Sequence, residues 1–194
     1  MREFLKFCFK GSRNYLHSTD VFNTLLNLVG KDIKNINFSF YKRTNKNIIL
    51  TDEKPSSKES LVFTFSFYKG EKVVNFYGLE SEQVINCRYP YEESIIVKEV
   101  SLDFTYKCGS LKSLTKYSFI EHLVALTKTI HLNFFPNYKG KWFFAKMHLF
   151  EIPTDFFPLK FCLNQHLGTR LTQSSIHINN SFGGWIYFSL IGEK

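Results

Sequence analysis

The chain has 194 residues, enough for one ordinary domain or for two small ones of about 100 residues each. Hydrophobic residues make up 44% and charged residues 22%, a composition that excludes an intrinsically disordered chain. The net charge of +8 suits an anionic partner, but the sequence has no run of four adjacent Lys or Arg residues to mark a nucleic-acid-binding stripe.

The first half of the chain predicts a strand, a helix and four further strands. Leu5, Phe7 and Phe9 alternate with polar or small residues, which is typical of a half-buried strand. Apolar residues at helical spacing predict a helix over 20–29 that ends near Gly30, with N-cap residues at 18–20. The four strands are predicted at 36–40, 48–50, 61–67 and 73–77, and a turn at 69–71 makes a hairpin of the last two.

The second half repeats much of this order. Leu102, Phe104 and Tyr106 alternate as in a strand, and a helix is predicted over 118–130 with Ser118 as its N-cap. Strands are predicted at 132–135, 142–150, 175–179 and 185–191, with a loop at 152–171 and a Phe182-Gly183-Gly184 turn. A shift of 98 residues aligns the two halves, so we predict an internal duplication with repeats 1–98 and 99–194.

The cysteines and the N-terminal residues indicate in which cellular compartment the protein is expected. Cys8, Cys87, Cys108 and Cys162 lie far apart and form no CxxC pair, which argues against a structural zinc site. Lys6 and Lys10 interrupt the N-terminal apolar run, so we expect no signal peptide, and no stretch is long and apolar enough for a membrane span. We therefore expect a cytoplasmic monomer or homodimer with reduced thiols, no bound metal and no resident cofactor.

A long helix with an antiparallel sheet, present twice, resembles a tandem (double) hot-dog fold of the α+β class. A tandem ferredoxin-like fold is the alternative. It needs a second helix in each half, for which only 80–87 and 156–166 have room, and Pro158 argues against the latter. The resemblance to hot-dog proteins implies a ligand that is an acyl thioester of coenzyme A or of acyl carrier protein. It also implies a carbonyl-binding site at a helix N-terminus.

The resemblance also implies where a dehydratase or thioesterase would hold its catalytic groups. In a dehydratase, His17 in the loop before the first helix and Glu121 in the first turn of the second would face one cavity as base and acid, or in the reverse roles. In a thioesterase, Asp20 or Glu121 would activate water and Asn23 or Ser18 would donate a hydrogen bond. Arg13 is a candidate contact for cofactor phosphate. Two alternatives stay open: a non-catalytic hot-dog binding module, and a basic RNA-binding or RNA-processing protein.

Overall fold

In the computed structural model, which describes residues 1–168 and 170–192, the chain divides into two units, Met1–Tyr91 and Glu92–Lys194. The elements of the first unit are β1 (Arg2–Leu5), β2 (Phe9–Lys10), α1 (Ser18–Val29), β3 (Lys34–Phe40), β4 (Lys46–Thr51), β5 (Leu61–Lys69), β6 (Lys72–Val84) and β7 (Arg88–Tyr89). An antiparallel sheet runs in the order β1-β4-β6-β5-β3, and β2 and β7 form a separate parallel pair.

Helix α1 forms because its apolar residues recur at helical spacing and meet an aromatic sheet face. Val21, Phe22 and Leu25 are fully buried. The Phe22 ring lies 5.5 Å from the ring of Phe38 and 6.0 Å from that of Phe65, measured between centroids. Each such buried side chain contributes about 1.5–3 kcal/mol through apolar burial. The helix predicted over 20–29 and the hairpin with its turn at 69–71 are confirmed.

The second unit contains α2 (Glu93–Val97), β8 (Val100–Asp103), β9 (Cys108–Leu111), α3 (Phe119–Phe134), β10 (Lys141–Glu151), β11 (Leu159–Leu167), β12 (Leu171–Ile178) and β13 (Ser181–Ile191). Its strands form an antiparallel array in the order β10-β13-β12-β11-β9-β8. Leu123, Leu126 and Ile130 of α3 are fully buried, and the helix predicted over 118–130 is confirmed. None of the helices in the described part of the chain is long and apolar enough to cross a membrane.

Several predicted strands and turns of the second half are wrong. Residues 132–134 continue α3, and the loop predicted at 152–171 contains β11. Strands β12 and β13 are joined at Asn179 and Asn180, which have positive φ values of 50° and 64°, and not at the predicted turn. Gly184 lies inside β13, where a Cβ atom would come within 2.0 Å of the His148 carbonyl oxygen on β10. That glycine permits close approach of two strands.

The strand predicted through Phe104 and Tyr106 is also shorter than expected. Strand β8 ends at Asp103, and both aromatic side chains are exposed, at 64% and 73%. The segments that a ferredoxin-like fold would need as helices, 80–87 and 156–166, lie largely in β6 and β11, which argues against that alternative. The described chain is therefore an α+β protein built from antiparallel strands and few helices.

The expectation of reduced thiols is wrong, because Cys8 is bonded to Cys87 and Cys108 to Cys162. Partners lie 79 and 54 residues apart, and strand pairing brings them together: Cys162 stands opposite Cys108 in the β11–β9 register. Sequence spacing alone does not reveal such pairs. Because disulfides persist mainly in oxidising compartments, the cysteines no longer support a cytoplasmic location.

Candidate functional site at the start of helix α1

Polar side chains are buried where α1 begins. His17 occupies the N-cap position with an extended backbone, φ −89° and ψ 132°, and its side chain makes no capping hydrogen bond. His17 is 9% exposed and Thr19 only 1%. Buried polar groups lower stability unless they are hydrogen-bonded, so each should have a partner in the fold.

Lys10 supplies a buried positive charge to this cluster. The Lys10 side chain, on β2, is 1% exposed, and its Nζ donates to Asp20 Oδ1 at 2.9 Å and to Thr19 Oγ1 at 3.0 Å. The same Nζ lies 4.3 Å from the centroid of the Tyr91 ring, within cation–π distance. A buried ammonium group is tolerated because a carboxylate, a hydroxyl and an aromatic face together replace its water.

Asp20 is held from two sides. Its Oδ1 accepts from Lys10, and its Oδ2 accepts from the Tyr89 hydroxyl at 2.8 Å. Lys10 and Tyr89 stand opposite each other in the parallel β2–β7 pair, so this small sheet presents both donors to one carboxylate. Asp20 therefore has a fixed orientation. Its predicted role as the group that activates water stays a prediction.

His17 joins the cluster through Thr19. Its Nδ1 lies 2.7 Å from Thr19 Oγ1, which also accepts from Lys10 and lies 3.3 Å from Asp20 Oδ1. If Nδ1 carries the proton, it donates to Thr19, the Thr19 hydroxyl donates to Asp20, and Nε2 is the basic nitrogen. If the Thr19 hydroxyl donates to Nδ1 instead, Nε2 carries the proton. Thr19 thus couples the tautomer of His17 to the Lys10–Asp20 pair.

The two predicted ligand-binding residues lie in the same unit. Arg13 is half-buried, and its guanidinium carbon is 5.4 Å from the centroid of the Tyr91 ring. Its carbonyl oxygen accepts from Arg88 Nη1 at 2.6 Å. Asn23 is half-buried in α1, on the turn after Asp20. The predicted contacts of Arg13 and Asn23 with a ligand stay predictions.

Glu121, the predicted acid in the second unit, has a local structural role. The Ser118 N–H donates to Glu121 Oε2 at 2.8 Å and the Glu121 N–H donates to the Ser118 side chain, which together form a capping box at the start of α3. The Ser118 hydroxyl also donates to Glu121 Oε2 at 2.7 Å. The next residue, His122, donates from Nδ1 to the Ser118 carbonyl and accepts at Nε2 from the Thr115 N–H. Burial lowers the pKa of His122, which keeps the ring neutral. The pairing of His17 with Glu121 stays a prediction.

Sequence reasoning missed three members of the cluster: Lys10, Thr19 as a link, and Tyr89. Lys10 lies on the polar side of an alternating strand pattern, which ordinarily faces solvent. Tyr89 lies 69 residues from Asp20, and no local pattern reports that contact. Across residues 1–168 and 170–192, no group of three or more His, Cys, Asp and Glu side chains could hold a metal ion.

Comparison with known proteins gives only distant matches among solved structures. No protein-family model matches the chain, and no curated protein matches it. Among solved structures, the tesB protein of Mycobacterium avium subspecies paratuberculosis is 8% identical, with a TM-score of 0.48 and coverage of 97% of this chain and 90% of that one. An acyl-ACP thioesterase from Bacteroides thetaiotaomicron is 9% identical, with a TM-score of 0.41 and coverage of 97% of both chains.

A dehydratase domain of the curacin polyketide synthase is 7% identical, with a TM-score of 0.43 and coverage of 91% of this chain and 82% of that one. Because the TM-scores of these three structures lie below 0.5 and the identities below 10%, the similarity carries no conclusion about the fold or the activity of this chain.

Proposed function

We propose that the protein is a tandem hot-dog protein that binds an acyl thioester of coenzyme A or acyl carrier protein at the start of α1. The observation that supports this proposal is the buried cluster of Lys10, Asp20 and Tyr89 linked through Thr19 to His17. Clusters of buried ionisable groups lower stability and are typical of functional sites. The N-terminal end of a helix also favours the partial negative charge of a thioester carbonyl.

The contrast between the two long helices favours α1 as the site. Helix α3 begins with a capping box that its own residues Ser118 and Glu121 complete. The start of α1 depends instead on side chains from β2 and β7 and buries a lysine. An ordinary N-cap needs none of these groups. The cluster thus exceeds what helix termination requires.

The arrangement favours hydrolysis over dehydration. Hydrolysis needs one base: water attacks the carbonyl carbon, His17 takes its proton, the C–S bond breaks, and the imidazolium returns the proton to the thiolate. Dehydration of a 3-hydroxyacyl thioester needs a base and a separate acid. Glu121, the predicted acid, is engaged in a capping box, and the carboxylate of Asp20 is already held by Lys10 and Tyr89. His17 is therefore our candidate base.

A non-catalytic binding module is the second candidate. The engagement of both Asp20 oxygens favours it, because a carboxylate held so firmly suits a rigid binding surface as well as a reaction. If the protein binds an acyl thioester but does not cleave it, the binding module is favoured over the hydrolase.

Hydrolysis of octanoyl-CoA and palmitoyl-CoA by the purified protein, followed through release of coenzyme A, tests the proposal. Replacing His17 by Ala should lower the rate about 100-fold or more, as expected for loss of a general base. The matched control is His166→Ala, which alters an exposed histidine of the second unit and should leave the rate unchanged. Glu121→Gln should leave hydrolysis nearly unchanged. A rate that survives His17→Ala, or a protein that neither binds nor cleaves these thioesters, would contradict the proposal.

A further inference from the structure

We propose that the Cys8–Cys87 disulfide holds the α1 polar cluster in its binding-competent form, so that ligand binding depends on the redox state of this bond. The effect on ligand binding rests on the proposed function, whereas the effect on the cluster itself can be measured without any ligand. The argument follows from where the bond lies in the first unit.

The bond joins the two strands that carry the donors to Asp20. Cys8 directly precedes β2 and Cys87 directly precedes β7. Each strand has only two residues, and their pairing places Phe9 opposite Arg88 and Lys10 opposite Tyr89. Lys10 and Tyr89 thus lie two residues beyond the bonded cysteines on either strand.

Backbone and side-chain hydrogen bonds also join β2 and β7. Phe9 N–H donates to the Cys87 carbonyl at 2.8 Å, and Gly11 N–H donates to the Tyr89 carbonyl at 2.9 Å. The guanidinium of Arg88 also donates to the carbonyls of Gly11 and Arg13. Two paired strands of two residues each have little stability by themselves, since even a complete β-hairpin is at best marginally stable in water. The covalent link keeps the two strands together.

Separation of the strands would reach His17 through named contacts. Asp20 would lose Lys10 at one oxygen and Tyr89 at the other. Thr19 would lose the hydrogen bond from Lys10, and this hydroxyl is the partner of His17 Nδ1. Loss of the β2–β7 pair therefore changes both the orientation of Asp20 and the surroundings of the His17 ring.

The chemical step is thiol–disulfide exchange with a small dithiol. The dithiol gives two electrons to the Cys8–Cys87 bond, the S–S bond breaks, and each sulfur ends as a thiol with one proton. The dithiol loses those two protons and closes to its own disulfide. Cys8 and Cys87 are both half-buried, whereas Cys108 of the second bond is only 4% exposed. Cys162, the partner of Cys108, is half-buried, so a reductant can approach the first bond at both ends and the second bond at one end only.

The experiment isolates this bond by removing the other one. The Cys108→Ser/Cys162→Ser variant retains only Cys8–Cys87 and is compared before and after reduction with dithiothreitol. Reduction should speed amide hydrogen exchange at Phe9 and Gly11 about tenfold or more, while the core amides of β5 stay protected. It should also move the NMR signals of the His17 ring and weaken binding of S-octyl coenzyme A about tenfold. This thioether is not cleaved by thiols. Reoxidation should restore the slow amide exchange, the original His17 ring signals and the affinity for S-octyl coenzyme A.

The matched control is the Cys8→Ser/Cys87→Ser variant, which should already show fast exchange at Phe9 and Gly11 and should not respond to dithiothreitol at these amides. Unchanged exchange at Phe9 and Gly11 in the reduced protein would overturn the proposal, and so would exchange that rises equally throughout β5. Equal affinity for S-octyl coenzyme A in both redox states would overturn the regulatory role. If exchange and the His17 signals change but neither form binds the thioether, the structural link stands and the proposed function fails.

Discussion

Acidification should destabilise the second unit through His131, which is fully buried in α3. Its Nδ1 donates to the Thr127 carbonyl at 2.7 Å, and its Nε2 accepts from the Thr172 hydroxyl at 2.6 Å. The ring packs 4.6 Å from the Trp142 ring and 5.3 Å from the Phe188 ring, measured between centroids. Burial, together with a smaller effect of the nearby His166, lowers the pKa of His131 from 6.5 to about 4, although the hydrogen bond to the Thr127 carbonyl opposes this. The folded protein therefore holds this ring neutral.

The size of the effect follows from the two pKa values. As the pH falls below 6.5 the unfolded chain protonates His131, whereas the folded chain does not until the pH reaches about 4. The stabilisation is thus fully present above the unfolded pKa and is lost as the pH falls towards the folded one. At about 1.4 kcal/mol for each pH unit, His131 alone removes about 3 kcal/mol from the free energy of unfolding by about pH 4.

Urea unfolding of the wild type and of His131→Gln, measured from about pH 7.5 to about pH 4, tests this value. The variant is less stable at neutral pH, and the difference in the free energy of unfolding between the two proteins should shrink by about 3 kcal/mol as the pH falls. His166→Gln, at an exposed position, serves as the control and should retain most of the wild-type pH dependence. A difference between wild type and His131→Gln that stays constant with pH would refute the reasoning.

Two further substitutions test packing and charge in the first unit. Leu25→Ala removes a fully buried side chain from α1 and should lower the free energy of unfolding by about 2–5 kcal/mol; an unchanged thermal melt would contradict the packing of α1. Lys10→Met leaves the Asp20 carboxylate without its cation and should lower the free energy of unfolding, measured in urea, by about 3 kcal/mol. The control Lys6→Met, at an exposed position, should change this free energy by no more than about 0.5 kcal/mol. Equal effects of the two lysine substitutions would show that the Lys10–Asp20 pair is not needed for stability.

The sequence predicts correctly those helices that are determined by residues close together in the chain. The two long helices follow from apolar residues at helical spacing, and α3 also from Ser118 as its predicted N-cap. The predicted end of α3, at residue 130, is too early. The helix continues to Phe134 because no glycine or proline stops it before Pro136. The Gly183-Gly184 pair predicts a turn because glycine is frequent in turns. At Gly184 the cause is close contact with the neighbouring strand, which sequence spacing does not show.

The candidate site also contains residues that the sequence predicts and residues that it does not. His17 and Asp20 were found because they lie at a predicted helix start. Lys10 and Tyr89 were not, because they contact Asp20 from positions 10 and 69 residues away along the chain. The disulfide partners escaped prediction for the same reason. Contacts between strands distant in sequence depend on register and topology, and neither can be read from the local alternation of residues.

The proposed acyl-thioester site is tested most directly by NMR titration of the oxidised, isotope-labelled protein with S-octyl coenzyme A. Saturable shifts are expected at the His17 ring and at the backbone amides of Thr19 and Asp20, and the His17→Ala protein should show weaker binding. No saturable shift at the start of α1, or shifts confined to residues of the second unit, would contradict the assignment of the site.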